Sequence, residues 1–184
     1  MSVNPEEIIN KVEFGTSRLK GRIEAINKLV EGGYKIGILI APVILVENWK
    51  KLYSELIERL SQELSAKAKK EAFFEIIFMT YSYVHTKINE EAFPNAINLY
   101  NKEKMTGRGR GKYGYKEKER IEAEIILREQ MKKYFPNNSI EYIVWKKVKK
   151  GKKGPGPKLR KKGPYLFLQN LSKHLKNKQK QCKI

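Results

Sequence analysis

Residues 105–116, MTGRGRGKYGYK, are where the side chains able to do chemistry crowd most closely in this sequence. Arg108, Arg110 and Lys112 alternate with glycines, and Tyr113 and Tyr115 follow at once. Guanidinium and ammonium groups suit phosphate oxygens, and tyrosine rings offer flat faces to bases. Glycines at alternate positions allow positive φ and close backbone approach, as in a tight hairpin whose arginines point outward. The stretch is not a Walker loop, because no GxxxxGK followed by Ser or Thr can be read from it, and no dinucleotide fingerprint fits GRGRG. Residue chemistry alone leaves two readings open: a hairpin that touches nucleic acid, or a solvated basic loop.

The rest of the reactive inventory is sparse. All 20 acids are glutamates, so the usual aspartate ligands of magnesium and the usual aspartate partner of a catalytic histidine are missing. His85 and His174 are isolated, each without a second ligand at helical or hairpin spacing. Cys182 is the single cysteine, which leaves neither a disulfide framework nor a thiolate metal site and points to a reducing compartment. No catalytic residue and no metal ligand is nominated.

The formal charge of +19 is uneven. Residues 145–184 hold 14 lysines, one arginine and no acid, or +15, leaving +4 for residues 1–144. That segment, KKVKKGKKGPGPKLRKKGP and beyond, is too charged and too rich in Gly and Pro to bury a core. It is expected to be a disordered extension with a short helical stretch around 167–176. It reads equally as a nucleic-acid arm, since neutralised phosphates release counterions, and as a merely solvated tail. The amino terminus has neither the basic nor the apolar region of a signal peptide, and the longest apolar run, Ile36 to Val46, is too short to span a membrane. A cytoplasmic protein is expected.

The elements that must position the basic glycine stretch follow from periodicity. Ser17 is placed to cap a helix carrying Leu19, Ile23, Ile26, Leu29 and Val30, with Gly32 and Gly33 to stop it. YKIGILIAPV reads as a parallel strand covered by helices on both faces. Trp49, Leu52, Tyr53, Leu56, Ile57, Leu60 and Leu64 mark an amphipathic helix, and AFFEIIFMTY a second strand. A helix over 116–134, with Ile121, Ile125 and Met131 inward, precedes a third strand at IEYIV. Helix and strand alternating in this way is the rhythm of an α/β fold. Two or three parallel strands are few for a closed sheet, so the chain reads as the later portion of a larger α/β domain.

Several uncommon strings occur in a fixed order: SVNP, then VEFGTSRLKGRIEAINKLVEGGYKIGILIAPVILVENWKKLY, then EAFPNAINLYNKEKMTGRGRGKYGYKEKE, then YFPNNSIEYIV. Over residues 2–144 the chain closely resembles the carboxy-terminal half of the spore photoproduct lyase family of radical SAM enzymes. The resemblance implies an incomplete part of a (β/α) partial TIM-type barrel, spanning 1–144, with a glycine-rich β-hairpin near 105–115. It implies S-adenosylmethionine and a 4Fe-4S cluster as the family's cofactors. It implies a radical reaction that turns the spore thymine dimer back into two thymines, and DNA bearing that lesion as partner.

By the same resemblance, Ser2, Asn4 and Ala41 fall at strand ends that face the cofactor, where barrel sites form. Arg108, Arg110, Lys112, Tyr113 and Tyr115 fall on the hairpin that meets DNA. The family's CxxxCxxC motif and its hydrogen-returning cysteine belong to the other half and have no counterpart here, so this chain alone is expected to bind neither cofactor. The chain also departs from better-known members: Gly109 replaces a tyrosine in a loop one residue shorter, and IIFMTYSYVH replaces a His-Arg-Phe stretch. The leading expectation is a carboxy-terminal fragment of a DNA-repair lyase, inactive without a cluster-bearing amino-terminal half on a separate chain. A basic nucleic-acid-binding module and a non-functional remnant are the competing ones.

Overall fold

The computed structural model describes residues 1–143. The expected disordered extension over 145–184, and the boundary that sets it off, lie outside the described residues. The elements run β1 (Ser2–Val3), α1 (Glu6–Val12), α2 (Leu19–Glu31), β2 (Gly37–Val43), α3 (Trp49–Glu63), α4 (Ala66–Glu71), β3 (Phe73–Phe78), β4 (Thr80–Ser82) and α5 (Tyr83–Ala92). A 3-10 turn at Lys102–Lys104 then leads to β5 (Met105–Gly109), β6 (Lys112–Tyr115), α6 (Glu117–Tyr134) and β7 (Ile140–Ile143).

Two sheets result. Strands β1, β2, β3 and β7 lie side by side in that order, every pair parallel, while β4, β6 and β5 form a separate antiparallel sheet. The mixed α/β class expected from periodicity is what the chain adopts. The run AFFEIIFMTY is not one strand, however. Its first part is β3 of the parallel sheet, and after Met79 the chain turns into β4 of the antiparallel one.

Alternation along β2 and β3 buries Ile38, Ile40, Val43, Phe74, Ile76 and Phe78 on one face. Ile23, Ile26 and Val30 of α2, Tyr53, Leu56, Ile57 and Leu60 of α3, and Ala123, Leu127 and Met131 of α6 complete the same core. Each fully buried branched side chain contributes roughly 1.5–3 kcal/mol. The opposite face, with Leu39, Ala41, Phe73, Glu75 and Ile77, is only half-buried. Helices on both faces were the expectation from an unbroken apolar run; one covered face is the finding.

Two further expectations are corrected locally. Ser17 does not cap α2: the cap position is Arg18, and the Ser17 carbonyl instead accepts from Arg22 Nε at 2.8 Å. On α6 the buried stripe is Ala123, Leu127 and Met131, while Ile121 and Ile125 are 44% and 50% exposed. The inward spacing of four begins at the small Ala123, which lets α6 lie close to α3, and the larger isoleucines fall outside that stripe. Asn138, in the turn before β7, donates to the carbonyls of Lys69 and Ala72 at 2.8 and 2.7 Å and so ties β7 beside β3.

Candidate functional site

At the carboxyl ends of β2 and β3 lies a mainly apolar cleft of about 1010 Å³. Pro42, Ile44, Phe78 and Met79 line it at the strand ends, and Phe93 and Tyr100, from the segment after α5, line it as well. Carboxyl ends of parallel strands are where α/β proteins build sites, because the loops leaving them converge there.

A hydrogen-bond chain organises this rim. Arg22, 6% exposed, donates from Nη2 to Glu13 Oε2 at 2.5 Å and to Thr16 Oγ1 at 2.8 Å. Glu13 Oε1 accepts from Asn4 Nδ2 at 2.9 Å, and Asn4 Oδ1 faces the Tyr53 hydroxyl at 3.2 Å. That hydroxyl accepts the Ile44 N–H at 2.8 Å. Burial pushes the Tyr53 phenol well above its ordinary value, which keeps it neutral and able to donate. The adjacent Leu45 N–H goes to the Tyr115 hydroxyl at 2.8 Å. Two successive backbone amides after β2 are thus held by two tyrosines, one from α3 and one from β6.

Tyr115 links the cleft to the antiparallel sheet. There β5 and β6 form a hairpin in which Gly109 pairs with Lys112 and Arg110 and Gly111 make the turn, at φ of 51° and 67°. Positive φ at both central residues is what a type I′ turn requires and what matches strand twist. A register shift between Gly107 and Gly109 makes Arg108 an extra residue of β5. Bulges of this kind re-aim a side chain. Arg108 Nη2 donates to the Tyr115 carbonyl at 2.9 Å, and its Nε lies 3.2 Å from where a Cβ on Gly114 would be. Gly114 therefore provides the bed on which the Arg108 guanidinium rests.

The nominated residues separate clearly. Arg108, Arg110, Lys112 and Tyr113 are brought together on the exposed hairpin. Tyr115 is 3% exposed, so its ring is closed to a base, and the DNA contact expected of it is corrected to an anchor for the hairpin. Of the cofactor candidates, Ser2 is exposed, Ala41 is half-buried and joined to Pro42 by a cis peptide bond, and Asn4 is fully buried with both side-chain polar atoms engaged within the protein. Sequence reading missed Tyr53, Glu13 and Arg22 as organisers of the rim, and Tyr81, wedged between Tyr100 at 4.7 Å and Tyr113 at 5.6 Å. Tyr53 sits on an apolar stripe that its ring satisfies, so no sequence signal marks its hydroxyl.

Among the described residues no group of three or more His, Cys, Asp or Glu is placed to hold a metal ion, and no helix is long and apolar enough to cross a membrane.

The half-covered parallel sheet, the apolar cleft at its strand ends and the anchored, exposed basic hairpin beside it define a mixed α/β protein. The sequence profile described as spore photoproduct lyase matches residues 1–144, and the chain belongs to that family. It is 30% identical over 147 residues to the spore photoproduct lyase of Geobacillus sp. (strain Y412MC61), and 32% to that of Bacillus subtilis (strain 168). These matches cover 78% of this chain but only 43% of each relative. A solved spore photoproduct lyase double mutant with bound AdoMet and dinucleoside spore photoproduct superposes with a TM-score of 0.72 at 29% identity, over 78% of this chain and 43% of that one. A solved complex with dinucleoside spore photoproduct alone gives 0.71 at 28%, over 77% and 43%.

Proposed function

We propose that residues 1–143 are the DNA-positioning section of a radical SAM spore photoproduct lyase, and that they work with a cluster-bearing section this sequence does not contain. The observation that carries the reading is the bond from Tyr115 to Leu45, which fixes a basic hairpin to the rim of the apolar cleft. Relatives bearing the lyase name are seen with AdoMet and the dinucleoside lesion bound, and the same section of their fold is present here. The half-buried sheet face is then the inner wall of a (β/α) partial barrel, and the cleft its mouth.

The residues present do not fit the cofactors by themselves. A cubane cluster needs several thiolate ligands and the sequence holds one cysteine. Asn4 is fully buried with its amide bonded to Glu13 and Tyr53, and a hydroxyl at Ser2 with a methyl at Ala41 is too little to recognise an amino-acid zwitterion. The part of this chain in the family's repair of the spore lesion is thus to seat DNA: Arg110 and Lys112 meet phosphates, Tyr113 meets a base, Arg108 clamps the hairpin across Gly114, and Tyr115 fixes it to the strand rim.

Fluorescence anisotropy with a duplex carrying one spore photoproduct, against the undamaged duplex, tests this. Tighter binding to the lesion, lost in the double variant Arg110→Ala, Tyr113→Ala, supports the reading; equal affinity for both duplexes overturns it. Mixing the chain with the cluster-bearing half of a family member, AdoMet and a one-electron reductant should convert the lesion back to two thymines within the strand, whereas the chain given only iron and sulfide should show no thiolate-to-iron charge-transfer band.

The charge distribution favours a second reading, a general nucleic-acid-binding module, since +15 of the +19 lies in residues 145–184. Binding that disappears when those residues are removed, and ignores the hairpin variants, would establish it.

A further inference from the structure

A second exposed tyrosine stands beside the hairpin turn. Tyr81 of β4 lies directly opposite Tyr113 of β6, and Ser82 opposite Lys112. The next residue, Tyr83, donates its N–H to the Gly111 carbonyl at 2.9 Å, so the pairing is carried one step further into the first residue of α5. Side chains alternate along paired strands, which puts Tyr81, Tyr83, Gly111 and Tyr113 on one face of this sheet. A Cβ built on Gly111 would lie 3.9 Å from that of Tyr83, as same-face partners require. Because Gly111 has no side chain, nothing of its own stands between Tyr83 and the diagonal position of Tyr113.

The three rings differ in access. Tyr81 is 7% exposed beneath Tyr100 and Tyr113, whereas Tyr113 is 40% and Tyr83 55% exposed. A lone exposed aromatic needs no explanation. Two on one face, with backbone positions fixed by hydrogen bonds and cations around them, do. Arg110 lies in the turn next to Gly111, Lys112 falls on the opposite face by the same alternation, and Lys87 follows one helical turn after Tyr83. The Lys87 ammonium is held above its ordinary value chiefly by its hydrogen bond to Glu90. Its 2.9 Å bridge to Glu90 joins two side chains more than half exposed, an ion pair that a phosphate can displace.

We propose that Tyr83 is a second base-stacking platform, with Lys87 meeting the adjoining phosphate, so that the surface takes an unpaired DNA strand running from the hairpin onto the first turns of α5. Alternate stacking faces beside a row of cations are what single strands recognise without regard to sequence. This rests on the reading of the hairpin as a DNA contact and enlarges it.

The test is photocrosslinking of the full chain to single-stranded oligothymidine carrying 5-iododeoxyuridine, at raised salt to screen the lysine-rich residues 145–184. Adducts are mapped by mass spectrometry, and affinities are measured in parallel. The expected result is adducts on both Tyr83 and Tyr113, with Tyr83→Ala weakening binding about fivefold or more, the range of one stacked base, and Tyr83→Phe staying within about twofold of the parent. Adducts on Tyr113 with none on Tyr83, or Tyr83→Ala binding as tightly as the parent, overturn the proposal and leave the hairpin reading standing. Adducts on neither tyrosine remove both.

Discussion

Arg110 sits at φ 51° between two glycines that are also left-handed, a conformation that costs a residue with a Cβ about 1 kcal/mol or more. An arginine kept there is best explained by what its head group meets. Arg110→Gly should therefore raise stability by about 1 kcal/mol in urea denaturation, while lowering DNA affinity and reducing the salt slope by about one phosphate contact. Tyr53 behaves in the opposite sense. Tyr53→Phe strands the Ile44 N–H and Asn4 Oδ1 in the core and should cost about 1–3 kcal/mol in the same measurement. The Tyr115 phenol is pushed up to about 12, mainly by burial, from an ordinary value near 10. A group raised in the folded state contributes fully below its unfolded value, so stability should hold up to about pH 10 and fall between about pH 10 and 12. Absorbance of the tyrosinate band against pH should show this phenol titrating late, and Tyr115→Phe should remove that late component.

At the scale of elements, the hairpin is fastened rather than free. Tyr115 pins it to the loop after β2, Arg108 clamps it across Gly114, and β4 adds a third strand along its flank. Tyr115→Phe should speed hydrogen exchange at the Leu45 amide while leaving the core amides of β2 unchanged, since only the anchoring bond is lost. Helix α6 offers a contrast between its two apolar sets. Leu127→Ala, on the buried stripe, should cost about 2–5 kcal/mol, whereas Ile125→Glu, on the exposed side, should change stability by no more than about 0.5 kcal/mol. Positive φ was legible in the sequence for the turn glycines Gly109 and Gly111, whereas Gly107 and Gly114 do not use it. Which arginine would fold back and which would project was not legible, since the bulge at Arg108 depends on the register against β6.

For the whole molecule, charge and fold are carried by different parts of the chain. Residues 145–184 hold +15, and full-chain affinity for undamaged DNA should fall steeply with salt, each neutralised phosphate adding about 0.9 to the slope of log affinity against log salt. A chain ending at residue 143 should show a shallower slope yet keep its preference for the lesion if the hairpin is what reads it. The sequence by itself determined the α/β class, the main helices α2, α3 and α6, the strands at β2, β3 and β7, the family, and the basic glycine stretch as the place to look, because periodicity, charge and rare strings are local properties of the chain. Tertiary structure alone decided that one sheet face is left half-open, that Tyr115 is an anchor buried against Leu45, that Asn4 is spent on Glu13 and Tyr53, and that Tyr83 shares a face with Tyr113. Each of these depends on which residues from distant segments meet, and a side chain's availability is set by the partner it finds there rather than by its type.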